Sequence, residues 1–165
     1  MAKVKFFGEP VATVGDLPQA GGMAPDFVLA AQDLGDIDLN SFRGKRVVLN
    51  IFPSIDTDVC AASVRRFNSE ASKLPDTVVL CVSADLPFAA KRFCAAEGIE
   101  NVMTASTFRS DFGKRYGVEF AEGPFRGLMA RSVVVIGADG AVLGSRIVEE
   151  QTEEPDYGFV ESLLV

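Results

Sequence analysis

Three cysteines and no histidine set the limits of the chemistry open to this chain. The most informative stretch is Phe52-Pro53-Ser54-Ile55-Asp56-Thr57-Asp58-Val59-Cys60. An apolar run ends at Pro53, a short loop follows, and Cys60 falls in the first turn of a helical pattern. First-turn N–H groups have no carbonyl partner inside the helix, and the macrodipole is positive there, so both favour an anion. A thiol in that position has its thiolate favoured. At an ordinary pKa of about 8.5, only about 3% of a thiol is ionised at pH 7. Making it mostly anionic takes a drop of roughly 2.5 units, a differential interaction of about 3.4 kcal/mol. A helix terminus supplies about 0.3–1 kcal/mol of that. A cation and direct hydrogen bonds must supply the rest. Arg131 qualifies if the apolar run that follows it, Ser132 to Ile136, lies beside the run ending at Pro53. Thr57 also qualifies, because its hydroxyl stands three residues before Cys60, as an N-cap side chain does.

The other two cysteines read differently. Cys94 follows Phe93 in a helical pattern whose stripe is Leu86, Ala89, Phe93 and Ala96. It is turned about 100° off that stripe, which predicts a flank position, less buried and more available. Cys81 lies inside Val78-Val-Leu-Cys-Val82, a buried strand, and reads as structural and inert. The bland reading of Cys60 itself is a core cysteine, since free cysteine is among the most buried residue types. Pro53, Thr57 and the helix start weigh against it. The bland reading of Arg131 is a surface ion-pair partner.

The absences exclude whole classes. Without histidine there is no Ser-His-Asp or Cys-His arrangement and none of the common histidine-bearing zinc, haem or iron sites. There is no CxxC, so neither a zinc ribbon nor a dithiol CxxC motif fits. A sparse, odd cysteine count suits a reducing compartment in which any disulfide is transient. Lys plus Arg number 16 against 23 Asp plus Glu, a net charge of −7, which argues against a nucleic-acid partner. No run approaches the roughly 20 apolar residues of a membrane span, and no export signal stands out at the N-terminus, so the cytoplasm is the expected location.

The 165 residues are expected to form one domain, with residues 1–15 as an N-terminal β-hairpin extension turning at Gly8-Glu9-Pro10. Asp26 to Leu29 and Asp36 to Leu39 are short strand candidates. Arg46 to Phe52, Thr77 to Val82 and Ser132 to Ile136 are near-continuous apolar runs, as suits strands buried on both faces. Between them lies a helix from about Asp58 to Leu74, its face traced by Cys60, Val64, Phe67, Ala71 and Leu74. A second helix runs from Leu86 to Glu97 with Asp85 as N-cap and Gly98 past its end. A third runs from Thr107 to Tyr116. Gly137-Ala-Asp-Gly140 is a hairpin turn, and Pro155 opens a last helix with Phe159, Val160, Leu163 and Leu164 as its apolar side. The segment Glu149–Glu154 reads as a solvated acidic loop, and Phe120 and Phe125 as candidates for an apolar mouth. The order implies an α/β fold, a thioredoxin-like mixed sheet sandwiched by helices.

Pro53-x-x-x-Thr57-x-x-Cys60 resembles the peroxidatic-cysteine motif of peroxiredoxins. The longer string Asn50 to Arg65, with Ser83-Ala-Asp-Leu-Pro-Phe-Ala89 and Arg92-Phe-Cys94, resembles the bacterial thiol peroxidase subfamily, and the likeness extends over nearly the whole chain. The resemblance implies that Cys60 attacks the peroxide O–O bond and becomes a sulfenic acid. It implies that Thr57 hydrogen-bonds peroxide and thiolate, that Arg131 stabilises the charge, and that Pro53 shields the sulfur. Cys94 is implied as the resolving cysteine, giving a Cys60–Cys94 disulfide that thioredoxin reduces. In the chain-entropy model such a bridge is worth roughly 4 kcal/mol. Local unwinding of both helix segments is implied to accompany it. The implied substrates are hydrogen peroxide and alkyl hydroperoxides, the implied assembly is a homodimer, and no metal, flavin or haem is needed, since sulfur is nucleophile and electron donor at once. Asp58 departs from the pattern, standing where glycine is expected; its carboxylate suits the helix start but opposes a neighbouring thiolate. Two other readings share the residues. One is a redox sensor whose cysteine oxidation controls a partner. The other is a thioredoxin-like binding module with inert cysteines.

Overall fold

The computed structural model describes residues 1–164. In chain order the elements are β1 (Lys3–Phe6), β2 (Glu9–Ala12), β3 (Val28–Ala30), β4 (Asp36–Asp38), a 3-10 turn (Leu39–Phe42), β5 (Arg46–Ile51), α1 (Asp58–Ala71), β6 (Thr77–Ser83), α2 (Pro87–Glu97), β7 (Met103–Ser106), α3 (Phe112–Arg115), β8 (Ser132–Ile136), β9 (Val142–Ile147) and α4 (Tyr157–Leu164).

The three near-continuous apolar runs become β5, β6 and β8, and they are neighbours in a seven-stranded sheet of order β4-β3-β7-β6-β5-β8-β9. Each has neighbours on both edges and apolar layers on both faces, which is why none shows an alternating pattern. Successive side chains of a strand point to opposite faces. Accordingly Val47, Leu49 and Ile51 join one cluster with Leu80, Val82, Phe112 and Tyr116. Val48 joins the other, with Val79, Val133 and Val135 of the sheet, Cys60, Val64 and Phe67 of α1, Cys94 of α2, and Val160 and Leu164 of α4. β5 runs parallel to β6 and antiparallel to β8, with Ile51 opposite Ser132, so the sheet is mixed. That register brings the residue just before β8 to the end of β5, where the loop to α1 leaves the sheet.

β1 and β2 form a separate antiparallel pair, Lys3 opposite Ala12 and Phe6 opposite Glu9. Its turn is Phe7-Gly8, with φ of 48° and 82°. A two-residue hairpin wants positive φ at both positions, and glycine provides one without strain while Phe7 must be held. The holding group is the Glu150 carboxylate, which accepts the Phe7 and Gly8 N–H groups at 2.8 and 3.1 Å. Lys5 pairs alongside: its N–H donates to the Glu149 carbonyl and its carbonyl accepts from Gln151 N–H, both at 2.8 Å.

Several expectations are corrected. The acidic segment keeps Glu149, Glu153 and Glu154 in solvent as expected, but it is also a strap bonded to β1, and Gln151 within it is fully buried. The helix expected over Thr107–Tyr116 is the single turn α3. Its first half is a bend, in which Ser106 and Ser110 hydroxyls accept the N–H groups of Phe108 and Phe112. Serine competing for backbone N–H groups in this way displaces helix. β7 was not anticipated. It is short, and it is completed by parallel pairing to β6 rather than by its own pattern. Asp85 does not cap α2; the N-cap is Leu86, with no side-chain hydrogen bond there.

Candidate active site

Thr57 caps α1 in extended conformation (φ −103°, ψ 147°), and its Oγ1 accepts the Cys60 N–H at 3.4 Å. Its own hydroxyl donates to the Ser54 carbonyl at 3.2 Å. The loop from Pro53 is thereby folded so that Cys60 lies in the first helical turn, as the spacing predicts. Cys60 is fully buried.

Arg131 lies one residue before β8, and its Nη1 donates to Cys60 Sγ at 3.2 Å. It is only 3% exposed. Among the described residues no carboxylate pairs with it, so the surface ion-pair reading is overturned. A buried guanidinium without a counter-charge is costly, and the group it faces is sulfur.

Gln151, which sequence reasoning missed, fixes the arginine. Its Oε1 accepts the Arg131 N–H at 2.5 Å, its Nε2 donates to the Arg131 carbonyl at 3.2 Å, and its own carbonyl accepts Arg131 Nε at 3.0 Å. A second Nε2 bond reaches the Val148 carbonyl at 2.7 Å. With Nε and the backbone so held, Nη1 is aimed at Sγ.

At the start of α1, beside Arg131, is a groove of about 270 Å³ lined by Phe7, Pro53, Thr57, Asp58, Phe125 and Arg131. Phe125 stacks on Phe6 of the hairpin, ring centroids 4.3 Å apart. Phe125 thus stands at the mouth as expected, whereas Phe120 is fully buried behind it and does not line this groove. Phe6 and Phe7, from the far end of the sequence, complete the mouth instead.

Cys94, like the fully buried Cys60, does not line this groove, and it is corrected from flank to interior. It is 7% exposed, and the inward face of α2 is Pro87, Ala90 and Cys94, while Leu86 and Phe88 face outward. All three cysteines are free thiols. Burial pushes the Cys94 thiol up, against a hydrogen bond from Gln32, so at neutrality it is held as S–H. Burial pushes the Cys81 thiol up to about 12, against a hydrogen bond from Asn50.

A group raised in the folded state contributes fully below its ordinary value near 9 and loses that contribution as pH rises through about 12. Wild-type unfolding free energy is therefore expected to fall by a few kcal/mol between those pH values. Cys81→Ala flattens that fall. Urea titrations at pH 8 and pH 11 read the slope, and an equal slope in the variant refutes the assignment.

A buried cysteine at a helix start, under an arginine, on a mixed sheet flanked by helices defines a thiol-dependent redox protein of thioredoxin-like architecture. The redoxin family model matches residues 19–160, and the chain belongs to that family. The thiol peroxidase of Mycobacterium tuberculosis is 57% identical over 157 residues, covering 95% of this chain and 94% of that protein. A peroxiredoxin-like protein from Aquifex aeolicus superposes with a TM-score of 0.93 at 36% identity, covering 99% of this chain and 96% of the other. Thiol peroxidase from Chromobacterium violaceum does so with 0.91 at 26% identity and the same coverage. Within the redoxins the chain is a thiol peroxidase, a peroxidase oxidoreductase.

Proposed function

We propose that the chain reduces hydrogen peroxide and organic hydroperoxides at Cys60, resolves the product with Cys94, and is recycled by thioredoxin. The carrying observation is the buried Arg131 guanidinium 3.2 Å from Cys60 Sγ with no carboxylate partner among the described residues. In the first step the thiolate attacks the terminal peroxide oxygen. The O–O bond breaks, sulfur is oxidised to sulfenic acid, and the departing oxygen leaves as water or alcohol after taking a proton. Arg131 stabilises charge on the oxygens as the bond breaks. The Thr57 hydroxyl orients the peroxide, and Pro53 keeps bulk water off the sulfur. The apolar mouth of Phe6, Phe7 and Phe125 favours alkyl hydroperoxides. In the second step the Cys94 sulfur displaces hydroxide from the sulfenic acid, giving the Cys60–Cys94 disulfide and water. A thioredoxin dithiol then reduces the disulfide by exchange. The sparse, odd set of cysteines supports a reducing, cytoplasmic setting in which such a bridge is transient. Resemblance to bacterial thiol peroxidases supports a homodimer.

Cys94→Ser tests the scheme. Given one equivalent of peroxide, the variant is oxidised once, does not turn over, and retains a sulfenic acid at Cys60. Stopped-flow mixing followed by mass spectrometry of the peptides reads this, against a Cys60–Cys94 linked peptide in the wild type. Full multiple turnover with thioredoxin refutes the resolving role. Slow wild-type oxidation points instead to a stoichiometric redox sensor.

A further inference from the structure

Asp85 carries the side chain that the sequence assigns to capping α2, yet its carboxylate turns the other way, into the loop of Cys60. Oδ2 accepts the Ile55 N–H and the Ser83 hydroxyl, both at 2.7 Å, and Oδ1 accepts the Ser54 hydroxyl at 2.8 Å. The Asp85 carbonyl accepts the Ser106 hydroxyl at 2.5 Å, which fixes its backbone to the end of β7. From Ser54 the bonds continue inward. Its carbonyl accepts both the N–H and the hydroxyl of Thr57 at 3.2 Å, and Thr57 Oγ1 accepts the Cys60 N–H. A continuous chain of hydrogen bonds thus joins Asp85 to the reactive turn. On its other side Asp85 stands two residues before Pro87, where the helix of Cys94 begins.

The two cysteine helices are also tied at the surface. Arg65 Nε and Nη2 donate to the two Glu97 carboxylate oxygens at 3.2 and 2.9 Å, and the same guanidinium lies 5.8 Å from the Phe93 ring centroid, but the pair is solvent-exposed and screened by salt. The half-buried carboxylate, with three charge-assisted bonds, is the strong connection. Cys60 Sγ is held at Arg131 and Cys94 is buried on the inner face of α2, and the disulfide reading given above implies that the loop unwinds before the sulfurs join.

We propose that Asp85 is a positioning residue, a latch that holds the Ser54–Cys60 loop in the arrangement that attacks peroxide and whose release lets Cys60 reach Cys94. The latch rests on the disulfide reading given above. While it is closed, oxidation of Cys60 is fast and the sulfenic acid is retained beneath the groove. There a second peroxide converts it to sulfinic acid with loss of water or alcohol. When it opens, attack by Cys94 ends that exposure. One carboxylate thus sets the rates of the two half-reactions in opposite senses.

The test measures three quantities for wild type, Asp85→Ala and Asp85→Glu. They are the second-order rate of Cys60 oxidation, the first-order rate of disulfide formation, and the sulfinic fraction at high peroxide by mass spectrometry. Asp85→Ala is expected to oxidise about tenfold more slowly, to close the disulfide at least about threefold faster, and to accumulate less sulfinic acid. Asp85→Glu keeps a carboxylate and recovers part of the oxidation rate. A purely structural role lowers both rates together, and that result, or two rates unchanged within about twofold, overturns the latch. Ser54→Ala removes only the Oδ1 bond and is expected to shift the two rates the same way by a smaller factor. It decides the matter if Asp85→Ala does not fold. A wild type that never forms the Cys60–Cys94 disulfide overturns the disulfide reading and the latch with it. A wild type that forms it, with an unchanged rate ratio in the variants, overturns the latch alone.

Discussion

Cys60→Ser abolishes peroxide consumption, a loss on the order of 10⁶, the scale that follows removal of a covalent nucleophile. Serine is nearly isosteric, and its oxygen still accepts from Arg131, so the buried site keeps its hydrogen bonds and the fold survives. What disappears is chemical. A hydroxyl is not ionised under a guanidinium at neutrality, and its oxygen cannot take up a second oxygen as sulfur does. A coupled peroxidase assay reads the outcome. Activity above a tenth of wild type would transfer the chemistry to Cys81 or Cys94. The Cys81 thiol, raised to about 12 inside the sheet, is ill placed to accept it.

The second large effect is at Arg131. Arg131→Met keeps much of the side-chain volume and removes the donor to Sγ, and the rate of Cys60 oxidation is expected to fall about 10²–10³-fold. The effect exceeds that of an ordinary surface arginine because the guanidinium is buried and aimed by Gln151. The same change leaves the Gln151 carbonyl without its Nε partner, at a cost of about 1–3 kcal/mol in stability. Stopped-flow oxidation together with a urea titration separates the two consequences. A rate within tenfold of wild type shows that the arginine is structural.

The strands that matter most were also the most legible. β5, β6 and β8 announce themselves because burial on two faces demands unbroken apolar runs. The α1 stripe of Cys60, Val64 and Phe67 is equally plain, because one helix face must meet the sheet. The spacing from Thr57 to Cys60 carries the cap, and the antiparallel register of β5 and β8 delivers Arg131. Cys94 misled because its helix was read by side-chain size. The buried residues of α2 are small, Pro87, Ala90 and Cys94, with Phe93 only partly buried beside them, while the bulky Leu86 and Phe88 are left outside. Gln151 was hidden among acidic neighbours. Nothing in its local pattern reveals that β1 and Arg131, distant in sequence, close over it. Asp85 deceived in another way, since aspartate ahead of a helix is the ordinary sign of a cap, and the bond it makes instead is tertiary.

The strap that binds β1 joins the first strand of the chain to a segment that follows it by far; Phe7 and Glu150 are 143 positions apart. Synthesis proceeds from the N-terminus, so β5, the cysteine loop and α1 leave the ribosome long before Gln151 does. Until that glutamine emerges the guanidinium has nothing to aim it, so the contact between Arg131 and Cys60 is among the last parts of the site to be built.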